Sequence, residues 1–333
     1  MRKADLMNDR EQEHFMSELG RTRRRFLGTA AAACGAAVAS PARALPLQER
    51  PAGPAAVPRG PFAGKLCFFT KPLPEMDWRR LSRSVKQLGF DGLDLTVRPG
   101  GHVLPEKAAA DLPRAVATAR EEGLDVPMIT TALTSADEPT ARPILSTAGK
   151  LGIPYFKVGY YLYEHEDVRA ELARAGRDFG RLVQLAADCG VQAGFHNHSE
   201  YVGAALWDAA SFIEPLDPTL AGYYFDARHA TAEGGAGAWK TAVHLVKSRL
   251  KMMAVKDFSW VKTARGWQDA NCPLGEGMVD WKYVLGELCP GFQGPISLHM
   301  EYEVPGATTE EHEQNILAAA ARDLAFLRKG VRS

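Results

Sequence analysis

From Leu66 onward, short apolar runs alternate with longer stretches in which apolar residues recur at helical spacing. The runs expected as strands are Leu66–Phe69, Gly92–Val97, Val126–Leu133, Tyr155–Tyr161, Gln192–Phe195, Gly222–Phe225, Met252–Asp257 and Ile296–Glu301. Amphipathic helices are expected after each: Asp77–Leu88, Glu106–Glu122, Ala141–Leu151, Glu166–Asp188, Ala205–Phe212, Trp239–Ser248, Val279–Leu288 and Glu310–Arg328. Gly89, Gly123, Gly152 and Gly190 follow helices, where a left-handed residue closes the last turn. The strands are apolar on both faces, as buried parallel strands are. Eight such units in one domain predict an α/β protein with a single closed (β/α)8 barrel. An open nucleotide-binding sheet is disfavoured, because the first strand leads into Lys71-Pro-Leu-Pro and not a glycine-rich phosphate turn.

Several apolar runs end in side chains that bind metals or move protons. His196-Asn197-His198, Asp226 with His229, Lys256-Asp257, and His299 with Glu301 and Glu303 each follow a different strand. A closed barrel brings the C-terminal ends of all its strands to one mouth, so these clusters become neighbours. Side chains alternate along a strand, so His196 and His198 share a face, as do His299, Glu301 and Glu303. Imidazole and carboxylate together are ligands for a divalent cation, and His196, Asp226, Glu301 and His198 are the candidate set. For His196 a hydrogen-bonded core role has equal weight. Carboxylates at the end of a buried strand are rarely unpaired, and the alternative for Asp226 is an ion pair with Arg228 or Lys256. Lys256 ends an apolar strand and needs a carboxylate or a substrate oxygen. Arg98, His102, Lys157, His229, His299 and Trp260 are candidate substrate contacts, against the plainer reading of solvated loops and ordinary packing. Tyr160, Tyr161 and Trp267 join Trp260 as a candidate wall for a sugar ring.

The N-terminus bears on location. Thr22-Arg23-Arg24-Arg25-Phe26-Leu27 resembles the twin-arginine export consensus, and Ala42-Arg43-Ala44 has the small-x-small form of a signal-peptidase site. The reading is a signal peptide over 1–44, a Pro/Ala/Gly-rich leader over 45–61 and the barrel over 62–330. The translocase is then a transient partner and the periplasm the destination. Residues 1–44 hold eight of the 40 basic and five of the 40 acidic side chains, leaving 32 against 35 in the remaining 289 residues. A net charge of about −3 carries no nucleic-acid footprint. Cys67, Cys189, Cys272 and Cys289 form no CxxC pattern and read as inert core or loop residues. Homo-oligomerisation is left open.

Together, GFDGLDL (89–95), GFHNHSEY (194–201), FDARH (225–229), VKDFSW (255–260), LGEGMVDW (274–281) and SLHMEYE (297–303) resemble the xylose isomerase-like superfamily, in its sugar isomerase/epimerase group with inosose dehydratase and ketose 3-epimerases. The resemblance implies Mn, Mg or Zn in a Glu/Asp/His/Glu shell, with Asp226 and Glu301 as the matching ligands and His229 as the histidine of the DxxH pattern. Two departures stand out: His196 replaces the strand-five Glu, and Ala254 replaces the His of an HxKD motif. The expected activity is metal-assisted removal of a proton alpha to the carbonyl of a non-phosphorylated sugar or cyclitol. Glu301 is the expected base, His196 or His198 its partner acid, and Lys256 the holder of the enolate. The rival readings are a keto-glycoside lyase or dehydratase acting by β-elimination, and a non-catalytic carbohydrate-binding barrel. The AP-site endonucleases of related fold have a richer zinc set and a basic face that this chain lacks.

Overall fold

A computed structural model of the protein describes residues 60–332. The expected signal peptide, its cleavage site and most of the leader lie outside the described residues. Eight parallel strands close into a barrel: β1 (Leu66–Phe69), β2 (Gly92–Val97), β3 (Asp125–Thr131), β4 (Tyr155–Lys157), β5 (Gln192–His196), β6 (Ala221–Asp226), β7 (Leu250–Val255) and, after an inserted hairpin, β10 (Ile296–Leu298). β10 pairs with both β7 and β1, which leaves no open edge.

The helices are α1 (Trp78–Leu88), α2 (Ala108–Glu121), α3 (Ala141–Lys150), α4 (Val168–Asp188), α5 (Leu206–Ile213), α6 (Ala227–Gly234), α7 (Ala238–Val246), α8 (Trp281–Leu288) and α9 (Thr309–Gly330). Their starts are set by local chemistry. The carboxylate of Asp77 accepts from the N–H groups of Arg79 and Arg80, both at 3.0 Å, and Thr308 caps α9 through the N–H of Glu311. Gly89 closes α1 at φ +97°, a conformation that a side chain disfavours. Each helix lays an apolar stripe on the strands, as Leu81 and Val85 of α1 and Leu182 and Ala186 of α4 do, and this shell holds most of the core. Inside the barrel, Met128, Tyr224, Met252 and Ala254 form a smaller buried cluster.

Three expectations change. First, β4 and β10 stop at Lys157 and Leu298, so Glu301 sits on a loop beyond its strand. Second, the chain after β6 makes two helices, because Asp226 caps α6 immediately by accepting from the N–H of His229 at 3.1 Å. Third, the segment after β7 is an antiparallel hairpin, β8 (Asp257–Thr263) with β9 (Gly266–Cys272). It carries Trp260 and Trp267, 41% and 66% exposed. All four described cysteines are free, and no described helix is long and apolar enough to cross a membrane.

Candidate active site at the barrel mouth

Asp226 is the last residue of β6 and is fully buried. Asn197 fixes the strand end, donating to the Asp226 carbonyl at 2.9 Å and accepting from its N–H at 2.8 Å. The carboxylate oxygen Oδ2 meets His196 Nε2 at 3.2 Å, Lys256 Nζ at 3.5 Å and His229 Nε2 at 3.8 Å. Lys256 also reaches Glu301 Oε2 at 2.6 Å, while the other Glu301 oxygen contacts Lys71 at 3.0 Å. Arg228 does not pair with Asp226. It contacts Asp269 and donates to Asn271, tying the hairpin to α6. Asn271 in turn donates to the backbone carbonyl of Glu301 at 3.2 Å.

The ionisation states follow from burial against charge. Burial resists charging Asp226 and Glu301, but Lys256 overcomes it for both and holds both carboxyls below their usual range. His196 helps to do so for Asp226, and Lys71 for Glu301. Burial likewise resists the Lys256 ammonium, and Glu301 and Asp226 together raise its affinity for its proton. Lys256 is therefore a buried ammonium between two carboxylates. Burial pushes His196 down to about 3 and His198 down to about 4, with the lysines adding to the effect, so both rings are neutral near pH 7. His229 is pushed down too, first by burial and then by Lys256.

These states fix the tautomers. Burial keeps the proton on Tyr160, whose hydroxyl lies 3.2 Å from His196 Nδ1. Nδ1 then accepts, and Nε2 carries the proton donated to Asp226. Nδ1–H of His198 donates to the Ser199 carbonyl at 2.8 Å, which leaves the lone pair on Nε2. His229 Nδ1 accepts from the Ser199 N–H at 3.2 Å, and its buried Nε2 has no hydrogen-bond partner. The His198 and His229 rings lie 3.9 Å apart between centroids, with Tyr160 stacked on Tyr201 beside His198.

These donors do not fit a divalent cation as they stand. A metal would need Asp226 Oδ2 and Glu301 Oε2 at about 2.0–2.2 Å, and the Lys256 ammonium already bridges those same two oxygens. His196 faces Asp226 with an N–H and has its other nitrogen occupied by Tyr160. Ala254 is paired in register with Asp226, so the position where the sequence resemblance implies a histidine is adjacent to the acid, but here it carries only a methyl group. Among the described residues, no group of three or more His, Cys, Asp or Glu side chains converges on a metal position.

The remaining sequence candidates divide. Lys157, at the end of β4, is 3% exposed with its Nζ 3.4 Å above the Tyr160 ring. His299 follows β10 level with Lys256 and 6.2 Å from the His196 ring, stacked on Phe69 at 4.1 Å and 2.8 Å from the Tyr224 hydroxyl. His102 is held in the loop after β2, its N–H donating to Thr96 Oγ1 at 3.0 Å, and Arg98 keeps a buried Nε without a partner. Glu303 is exposed and separate from the cluster. Asp257 is structural: its carboxylate accepts from the N–H groups of Phe258, Gly275 and Val279 and from Trp281 Nε1 at 2.8–3.2 Å.

Two residues were missed. Asp94 on β2 is fully buried and accepts from Thr130, Tyr224 and Ser297 beneath the site. A charge inside the run Gly-Leu-Asp-Leu-Thr-Val was the signal that could have found it, by the same argument applied to Asp226. Lys71 gave no comparable signal beyond its place after β1.

The fold and the mouth cluster together define a (β/α)8 barrel with an acid–lysine–imidazole site at the C-terminal ends of its strands. Residues 82–330 match the family described as xylose isomerase-like TIM barrel, and the chain belongs to that family. Among solved structures it is similar to a D-psicose 3-epimerase from Clostridium cellulolyticum H10 in a structure with D-tagatose (14% identity, 81% of this chain and 100% of that one, TM-score 0.62). It is also similar to a 3-keto-D-glucoside 4-epimerase from E. coli (16% identity, 80% and 99%, TM-score 0.61). A third is a xylose isomerase-like TIM barrel protein from Mycobacterium smegmatis in complex with magnesium (17% identity, 78% and 98%, TM-score 0.57). At these identities the likeness concerns the fold. No curated protein matches the chain by sequence.

Proposed function

We propose that the protein is a periplasmic isomerase/epimerase-type enzyme that removes a proton alpha to the carbonyl of a non-phosphorylated sugar or cyclitol. The observation that carries this reading is the buried pairing of Glu301 with Lys256 at 2.6 Å, at the mouth and beside Asp226. The solved relatives that act on ketoses and keto-glucosides support the substrate class.

Glu301 is ionised and so is in the form that accepts a proton. Lys256 holds one of its oxygens. The other oxygen is held only by Lys71, whose side chain is 48% exposed and free to swing away when substrate arrives. Lys256 has three N–H donors and one hydrogen-bonds to Glu301, while Asp226 lies at ion-pair distance. A donor not engaged by Glu301 is available to a substrate oxygen as negative charge develops on it, inside a site where a fixed charge acts strongly. Asp226, His196 and Tyr160 form a hydrogen-bonded chain that holds Lys256 from below.

The second reading, β-elimination from a keto-glycoside, is favoured by one observation: His196, His198 and His229 are all held neutral. With no imidazolium to return a proton to the opposite face, epimerisation would fall to the Lys256 ammonium or the Tyr160 hydroxyl, whereas forming the enolate that ejects a β-substituent needs only the acceptor. Incubation of ketoses and 3-keto-glycosides in deuterated water separates the readings. Epimerisation or isomerisation places solvent deuterium at one carbon, and elimination releases the substituent and leaves an enone or its hydrate. Glu301→Gln removes the acceptor and is expected to lower either rate by about 10²–10⁴-fold. Sugar binding with neither exchange nor elimination across the panel overturns the catalytic reading in favour of a carbohydrate-binding barrel.

A further inference from the structure

Lys157 is a candidate whose placement the proposed reaction leaves unexplained. It closes β4 beside Thr130 of β3 and Gly194 of β5, with its side chain buried in the polar interior of the barrel. A buried ammonium ordinarily has a carboxylate within reach. Among the described residues Lys157 has none at ion-pair distance; its Nζ lies against the Tyr160 ring face at 3.4 Å. The nearby carboxylates are already engaged, Asp94 by three hydroxyls and Glu301 by two lysines. Lys256 and Arg98 add positive charge to its surroundings. Tyr160 in turn donates to His196, so Lys157 belongs to the same site as Asp226 and Lys256.

From this placement we infer that Lys157 is a nucleophilic amine that forms an imine with the carbonyl carbon of a ketose or keto-glycoside. The inference rests on the reading that the substrate presents a carbonyl, and it deepens that reading by supplying an electron sink other than a metal. An amine without a counter-ion, close to other cations, favours the neutral form that attacks carbonyls. Burial, followed by Arg98, depresses its proton affinity in the same direction. The Lys157 nitrogen adds to the carbonyl carbon, the carbon–oxygen bond breaks, and the oxygen leaves as water carrying one amine proton and one proton taken up from solvent, so the nitrogen keeps its second proton as an iminium. Loss of the alpha proton to Glu301 moves the electron pair into the iminium and gives a neutral enamine. Reprotonation at carbon and addition of water release the sugar and restore the amine. Lys256 is then free to hold the hydroxyl on the carbon that loses the proton.

The test is reductive trapping on the intact, folded protein. With cyanoborohydride at neutral pH, D-fructose or dihydroxyacetone is expected to add one equivalent, gaining the mass of the ketose less one oxygen, and peptide mapping should place it on Lys157. Formaldehyde with the same reductant probes the amine without a substrate, and Lys157 is expected to be methylated ahead of exposed lysines such as Lys71. Lys157→Arg keeps the length of the side chain above Tyr160 and cannot form the imine, so it should fold, lose both labels and lose turnover. Labelling of surface lysines alone, or full turnover in Lys157→Arg, overturns the inference and leaves a lysine that only packs on an aromatic ring. Deuterium exchange into substrate without any Lys157 adduct also overturns it while sparing the proposed function. An adduct on Lys157 without exchange does the reverse.

Discussion

Replacing Lys256 with Met is the most direct probe of the site, because it removes the charge and keeps most of the volume. In the folded protein Lys256 neutralises two carboxylates whose side chains are 0% and 17% exposed. Taking away one member of a buried ion pair costs about 3–5 kcal/mol, because the remaining charge stays buried without a partner. The lower end applies here, since Glu301 keeps Lys71 at 3.0 Å and Asp226 keeps His196 at 3.2 Å. A loss of about 3 kcal/mol in a domain of this size is expected to lower Tm by about 6 °C. The pH dependence carries a sign. In the wild type the two acids are depressed, so their stabilisation is present above the ordinary carboxylate range near pH 4 and is lost as pH falls through the folded values. In Lys256→Met, Glu301 takes up a proton more readily, which removes its own penalty, so the gap to wild type should be widest at neutral pH and should close in acid. Lys256 is raised, and its contribution is present below its unfolded value near 10.4 and lost as pH rises past the folded one. The gap should therefore narrow at strongly alkaline pH as well. Thermal denaturation of both proteins across pH 4–8 reads this out. An equal Tm at pH 7, or a gap that grows on acidification, would refute the account of Lys256 as the bridging cation.

Three further expectations concern the metal, the floor of the hairpin and export. Chelator should leave wild-type activity and Tm unchanged, whereas Ala254→His, which puts an imidazole beside Asp226, should raise Mn content by elemental analysis; chelator-sensitive activity in the wild type would contradict the fit argued here. Asp257→Ala strands four donors and should cost at least about 4 kcal/mol, at about 1–3 kcal/mol per buried group left unsatisfied, with local loosening visible as faster hydrogen exchange at Gly275 and Val279. Arg23→Lys with Arg24→Lys should hold precursor in the cytoplasm, as fractionation and immunoblotting will show; normal export of the double variant would remove the twin-arginine reading.

The barrel was legible in the chain because its signals are local. Short apolar runs, helical spacing between them and glycine at helix ends depend only on nearest neighbours, and each barrel strand lies within or close to its expected run. The candidate site was legible in part for the same reason: a charge at the end of an apolar strand, as at Asp226, Lys256 and Lys157, must be satisfied by something. The hairpin Asp257–Cys272 was not legible, because its strands are exposed on a polar pattern that also describes a loop.

What the chain determined alone was the set of charged and imidazole side chains delivered to one mouth. Only the tertiary structure decided their states. That Lys256 stands between Asp226 and Glu301 where a cation would bridge them depends on contacts 30 and 45 residues apart along the chain. That His196 has both nitrogens occupied, that His299 meets the Tyr224 hydroxyl and that Lys157 lacks a counter-ion depends on which strands are adjacent in the closed barrel. Ionisation and tautomer follow from distance and burial, which sequence spacing does not contain; they turn a ligand set expected for a metal into an acid–lysine site.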